Sequence, residues 1–183
     1  GRVYKEQTRP NLPWTPVEKD PARDEFTSEK LALKWCTIRT PKSDFYKIKN
    51  EQLVLDLHKN KASELHHSSL LLQRIEHHQF SASTKVSFST DKDNEHGGFA
   101  LYRTNENHYL LLKEKNSVVL IKSFKGEMKE VARVPYEKNE VFFAVEGDYL
   151  DAKFYYGSSG KDLHPIGDTQ TLVVIADGNG NQF

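Results

Sequence analysis

The chain has 183 residues, and its 26 Lys and Arg balance its 26 Asp and Glu. Net charge is therefore zero, and the basic residues are scattered, which argues against the footprint of a nucleic-acid binder. The longest apolar runs, such as VVLI at 118–121, are far too short to cross a bilayer. A single cysteine, Cys36, excludes an internal disulfide framework and leaves the compartment (cytoplasm, periplasm or secreted) undecided.

The first 23 residues hold four of the seven prolines and show almost no alternation. They read as an extended linker arm, 1–23, ahead of a folded module, 24–183. Trp14, between Pro13 and Pro16, is expected to pack on this domain or a neighbour. The chain opens on Gly1 without a visible signal peptide, so it reads as a piece of something longer.

From about residue 25 short runs of period two alternate with polar turns. LALKWCTIRT has an apolar–polar strand pattern, and EQLVLDL alternates through Leu53, Leu55 and Leu57. STKVSFS, GGFALYRT, NHYLLLKE, SVVLIKSF and KEVARV follow, then VFFAVEGDYLDAKFYYGSSG and QTLVVIA. The breaks, among them DKDNEHGG, EKNS, FKGE and EGD, carry turn chemistry. Ten Phe and eight Tyr with a single Met favour strands. About a dozen strands at this spacing predict an all-β antiparallel sandwich or barrel. No stretch has strong helical periodicity except 62–75, which is the one candidate for a helix.

The histidine doublets His66-His67 and His77-His78 suggest a metal site at first sight. On a helix His66 and His77 would share a face but lie about 16 Å apart, beyond the reach of one zinc at about 2 Å per ligand. On a strand the members of each doublet point to opposite faces. The doublets therefore read as surface and sheet-edge residues. DKDNEHGG starts like a calcium loop with Asp91, Asp93 and Glu95 at alternate positions. His96 stands where an EF-hand needs glycine, and Tyr102 where it needs the closing glutamate. DGNGNQF, from Asp177, also starts like such a loop. Asp91, Asp93 and Asp177 are thus candidates for a structural calcium, set against plain solvated turns.

Ser158 and Ser159 in YGSSGKD lack the G-x-S-x-G spacing of a nucleophile elbow and suit a hairpin turn. Cys36 reads as a packed thiol. Carboxylates are abundant, but spacing alone nominates no glycosidase pair. The residues alone define a β-sandwich without a recognisable catalytic set.

Several ordered stretches, from about residue 9 to the end, resemble glycoside hydrolase family 43, the β-xylosidase and α-L-arabinofuranosidase group. They match its C-terminal concanavalin A-like jelly roll. Asp24 and Phe26, Leu31 and Trp35, then Arg39-Thr40-Pro41 are similar to the junction that precedes that sandwich. Arg74, His77, Phe80, Ala82 and Thr84 follow an Arg-Arg-Gln-x-His run and its strand, with Gln73 and Ile75 as departures. Gly98, Phe99, Tyr102, Asn107 and Tyr109 follow a further segment.

The resemblance implies an accessory module docked on a catalytic five-bladed β-propeller of the same polypeptide, acting on plant oligosaccharide. The propeller and its Asp, Asp and Glu are outside this sequence. Family members also continue through two strands beyond GNGNQF. An aromatic at the start of those strands can enter the propeller pocket, and Phe183 falls there. Trp14, Arg74 and His77 become candidates for facing the propeller or pocket. Trp14 and the FYY run at 154–156 are also possible sugar platforms, with core packing the plainer role. The alternatives are a free-standing carbohydrate-binding, lectin-like sandwich, and a structural adhesion domain without sugar affinity.

Overall fold

The computed structural model describes residues 6, 8, 10–13, 15–17, 21–41 and 43–177. Among them eleven strands form: β1 (Tyr46–Lys49), β2 (Gln52–Leu55), β3 (Gln79–Ser87), β4 (Gly97–Tyr102), β5 (His108–Lys113) and β6 (Ser117–Phe124). β7 (Glu127–Pro135), β8 (Glu140–Asp148), β9 (Asp151–Ser159), β10 (Asp162–Pro165) and β11 (Gln170–Thr171) complete the set. All pairings are antiparallel. One sheet runs β10-β9-β8-β3, with β11 also on β9; the other runs β4-β5-β6-β7; β1 and β2 form a separate hairpin.

Alternation decides which faces meet. In β3 Phe80, Ala82, Thr84 and Val86 turn inward while Ser81, Ser83, Lys85 and Ser87 are exposed, as expected of a sheet with one wet face. Opposite them Tyr109, Leu111, Val118 and Leu120 close a core with Val141, Phe143, Val145 and Phe154. Removing these side chains from water is the main stabilising term of the fold. Lys113, also buried, donates its ammonium to the Glu114 and Lys115 carbonyls and so caps the β5–β6 turn. Burial lowers its pKa.

β5 is buried at every position, so its second face is covered too. Leu110, Leu112 and Val119 lie on that face, away from Leu111 and Leu120. The segment ahead of β3 forms the cover, a third layer. Phe45 is fully buried within it, and the Tyr102 hydroxyl reaches the Ala62 carbonyl across the boundary at 3.3 Å. The motif around residue 24 also has a structural account. The Asp24 carboxylate accepts from the Trp35 indole at 2.8 Å and from the Phe26 amide at 2.9 Å, and both bonds, the indole first, lower its pKa. The Phe26 and Trp35 rings pack at 5.8 Å.

Three expectations are corrected. Residues 62–75 form no helix, because their carbonyls are taken from outside. Arg39 holds that of His66, Asn60 that of His67, and the Cys36 amide that of Leu72. LALKWCTIRT forms no ladder beyond the single Cys36–Leu72 bridge. QTLVVIA pairs with β9 only at Gln170 and Thr171, opposite the start of β9. Thr171 Oγ1 then accepts from the Val173 amide and starts a 3-10 helix, Leu172–Ile175.

Two histidines make the fold sensitive to acid. His108 is fully buried; its Nδ1–H donates to Thr104 O at 3.1 Å, and its Nε2 has no partner among the described residues. Burial lowers its pKa against the opposing effect of that bond. His67, packed edge-on to Phe45 at 4.6 Å, is lowered by burial first and then by His58 and Arg39. The unfolded chain therefore binds protons that the fold refuses. Stability is full above the unfolded value near 6.5 and is lost as pH falls through the lower folded values. Urea midpoints should drop steadily between about pH 7 and pH 5. His108→Leu should flatten that decline, and an unchanged slope would contradict the assignment.

Candidate functional site: one end of the sandwich

Several connections gather at one end of the sandwich. The buried Asn107 welds two of them. Its Oδ1 accepts from the Lys125 amide at 2.9 Å, and its amide group donates to Thr104 Oγ1 at 3.3 Å. Gly126 N–H adds a bond to Glu106 O at 3.1 Å. The Tyr149 amide donates to His78 O at 2.9 Å, which ties the β8–β9 turn to the lead-in of β3. The Leu172 amide donates to Leu150 O at 2.7 Å, seating the 3-10 helix on the same turn. Beneath it the buried Tyr109 hydroxyl donates to Thr171 O at 2.9 Å, and burial pushes that hydroxyl up to about 12. Arg103 and Asp177 form a 2.6 Å ion pair at the rim.

The surface of this end is unusually apolar for turns. Tyr149 is 64% exposed, Leu150 63%, Ile75 47% and Val173 39%. Tyr149 also has φ +53°. It is the first residue of a two-residue hairpin loop, where a positive φ is carried without cost by glycine. An L-residue in the left-handed region costs on the order of 1 kcal/mol. The His78 ring stacks over Tyr149 at 6.2 Å and 10°.

Of the residues singled out in the sequence, Arg74 and His77 are exposed in the lead-in at this end, and Asp177 joins them through Arg103. Phe183 and Trp14 lie outside the described residues. β3 begins only at Gln79, so His77 and His78 do not sit on opposite faces of a strand; both are exposed. His66 and His67 belong to the third layer, so the doublets never meet. Asp91 and Asp93 lie at the other end, where Asp91 O accepts from Lys115 Nζ at 3.2 Å. The six residues of β5 separate them from Asp177 by about 20 Å, so these three carboxylates cannot share one ion. Among the described residues no group of three or more His, Cys, Asp or Glu is placed to hold a metal.

The other chemical candidates resolve plainly. Cys36 is exposed rather than packed, its thiol 3.3 Å from Leu72 O. Ser158, Asp162 and His164 are in contact, but Asp162 stands in the middle, 2.7 Å from Ser158 Oγ and 3.1 Å from His164 Nε2. A nucleophilic serine needs the histidine as its direct neighbour. Of the FYY run, Phe154 is in the core and Tyr156 packs on Tyr136 at 6.0 Å. Tyr155 faces outward, its hydroxyl donating to Glu146 Oε2 at 2.8 Å; this bond raises its pKa. It lines a shallow cleft of about 340 Å³ with Lys153, Pro165, Gly167, Asp168 and Thr169.

The family model described as "Beta xylosidase C-terminal Concanavalin A-like domain" matches residues 23–183. A non-reducing end α-L-arabinofuranosidase of Bacteroides ovatus is 31% identical over 122 residues, which are 63% of this chain and 22% of that protein. A xylan 1,3-β-xylosidase of a Vibrio species is 25% identical over 93% of this chain and 34% of its own length. In fold, a family 43 protein of Bacillus licheniformis superposes with TM-score 0.87 at 22% identity, covering 94% of this chain and 35% of that one. A xylan β-1,4-xylosidase of Bacillus halodurans gives 0.85 with the same identity and coverage. The chain thus spans about a third or less of the relatives it matches. With both sheets and the ordered motifs accounted for, it belongs to the β-xylosidase C-terminal concanavalin A-like domains, the sandwich module of glycoside hydrolase family 43.

Proposed function

We propose that this module serves a hydrolase of xylan- or arabinan-type plant polysaccharide, docking on a catalytic β-propeller of the same polypeptide and shaping the mouth of its pocket. The observation that carries this reading is coverage: the chain matches the C-terminal domain of its family and spans only 22–35% of the length of the relatives it resembles. A glycosidase needs one carboxyl held protonated beside a second that stays ionised. Hydrogen bonds hold Asp24, Glu95, Glu130 and Asp162 below the usual carboxylate range, which suits surface anions and caps. On this reading the acid and base belong to the part of the polypeptide outside this domain. Phe183, Trp14, Arg74 and His77 are the residues proposed to reach toward that part. Aryl β-xyloside and aryl α-L-arabinofuranoside assays test this. The chain alone should give no turnover, and deleting it from the whole polypeptide should lower kcat/KM at least ~10-fold, about 1.4 kcal/mol of transition-state stabilisation. Robust hydrolysis by this chain alone would sink the reading.

The cleft beside Tyr155 favours a second reading, carbohydrate binding by the sandwich itself. An aromatic face covers the C–H surface of a sugar ring while flanking polar groups take its hydroxyls, and Lys153, Asp168 and Thr169 flank this one. Calorimetric titration with xylo-oligosaccharides separates the two. Saturable binding that Tyr155→Ala removes supports this second role; no heat leaves docking as the function.

A further inference from the structure

We propose that the β8–β9 turn, Tyr149 and Leu150, is the centre of the surface through which this domain meets the catalytic part of its own polypeptide. The inference rests on the accessory-module reading and adds the place of contact. Two large apolar side chains at a turn tip, each more than half exposed, are left mostly uncovered in the isolated domain. Tyr149 is also held at φ +53°, where glycine fits without strain. A turn that is both strained and apolar is accounted for when something covers it.

The geometry extends the patch beyond the turn. Val173 stands on the 3-10 helix bonded to Leu150, and His78 lies over the Tyr149 ring. The Arg103–Asp177 pair supplies a charged rim. An apolar centre with a polar border is the anatomy of a protein–protein contact. The occupant follows from length. The matched relatives carry about two thirds or more of their length outside this domain, and the domain is the C-terminal one by description. On the accessory-module reading the corresponding body of this polypeptide is the occupant, and tethering gives it a local concentration that a free partner would have to match.

Hydroxyl-radical footprinting of the whole polypeptide tests this against an internal reference. Leu150 and Leu65 are the same residue type at similar exposure, 63% and 71% in the domain alone. Oxidation of Leu150 is expected to be at least ~10-fold slower than that of Leu65, with Tyr149 protected alongside it; a buried contact removes solvent access to both. In the double variant Tyr149→Asp, Leu150→Asp, labelling of Val173 should rise at least ~5-fold, since a charge in the contact is left unpaired. Leu150 as reactive as Leu65 overturns the proposal, and so does protection that grows with protein concentration, the mark of a second copy. Hydrolysis is scored separately. If the whole polypeptide cleaves neither aryl glycoside while Leu150 is protected, the interface stands and the enzymatic reading falls. Full hydrolysis with a reactive Leu150 removes the interface alone.

Discussion

Gly98→Val is expected to destabilise the domain by about 3 kcal/mol or more, the upper part of the range for overpacking. A Cβ at residue 98 would lie 2.1 Å from Leu111 O and 2.9 Å from Leu112 Cα. Both contacts are backbone atoms of β5, an inner strand of its sheet, so no side-chain rotation relieves them. β4 would have to move off β5, and five further residue pairs between them would loosen with it. Gly97→Ala is the control. Its Cβ would meet only the Phe88 ring edge, at 3.1 Å, which can turn aside for less than about 1 kcal/mol. Urea denaturation of both variants decides the matter; equal midpoints would mean that the close approach of β4 and β5 does not constrain this position. The glycine in this motif is therefore explained by backbone proximity, not by a turn.

Phe45→Ala should cost about 3–5 kcal/mol, the range for truncating a buried phenylalanine, and the loss should be local. Phe45 is fully buried and packs edge-on to Tyr46 at 5.5 Å and to His67 at 4.6 Å. Its carbonyl also takes the Asp56 amide at 2.8 Å. It is thus the anchor of the third layer, yet it lies outside the cluster formed by Phe143, Val145 and Leu111. Hydrogen exchange should lose protection across 43–70 while β8 and β9 keep theirs. Uniform loss over all strands would show the third layer to be inseparable from the sandwich.

The two-layer architecture is legible because β3 carries its burial as a period-two pattern in the residues themselves, and β9 does so over its first half. The third layer is not. Its segment is held by bonds from Arg39 and Cys36 that reach 27 and 36 positions along the chain, with a shorter one from Asn60, and no local periodicity encodes those. QTLVVIA illustrates the same limit from the other side. Its residues favour a strand, but the pairing partner β9 begins at Asp151, and the cap by Thr171 takes over. Arg74 and His77 stand out through family resemblance, whereas Tyr149 and Leu150 do not: the turn reads as EGD, residues 146–148, which the structure places at the end of β8, with the loop directly after it. The signal was present: a Tyr-Leu pair where a two-residue loop prefers Asn-Gly or Gly. Recognising it requires knowing that the loop has two residues, which only the register of β8 on β9 reveals.

The nesting of β4–β7 inside the β3–β8 pair has a kinetic consequence. Gln79 meets Asp148 across 69 positions, whereas each link of the β4–β7 meander joins neighbours in sequence. Closing a long chain segment costs entropy before any contact rewards it. The meander can assemble early and shorten the path, so that β3 meets β8 across a segment already compact. Speed of folding then depends on Leu111 and Leu120, and the lifetime of the folded state on how firmly β3 holds.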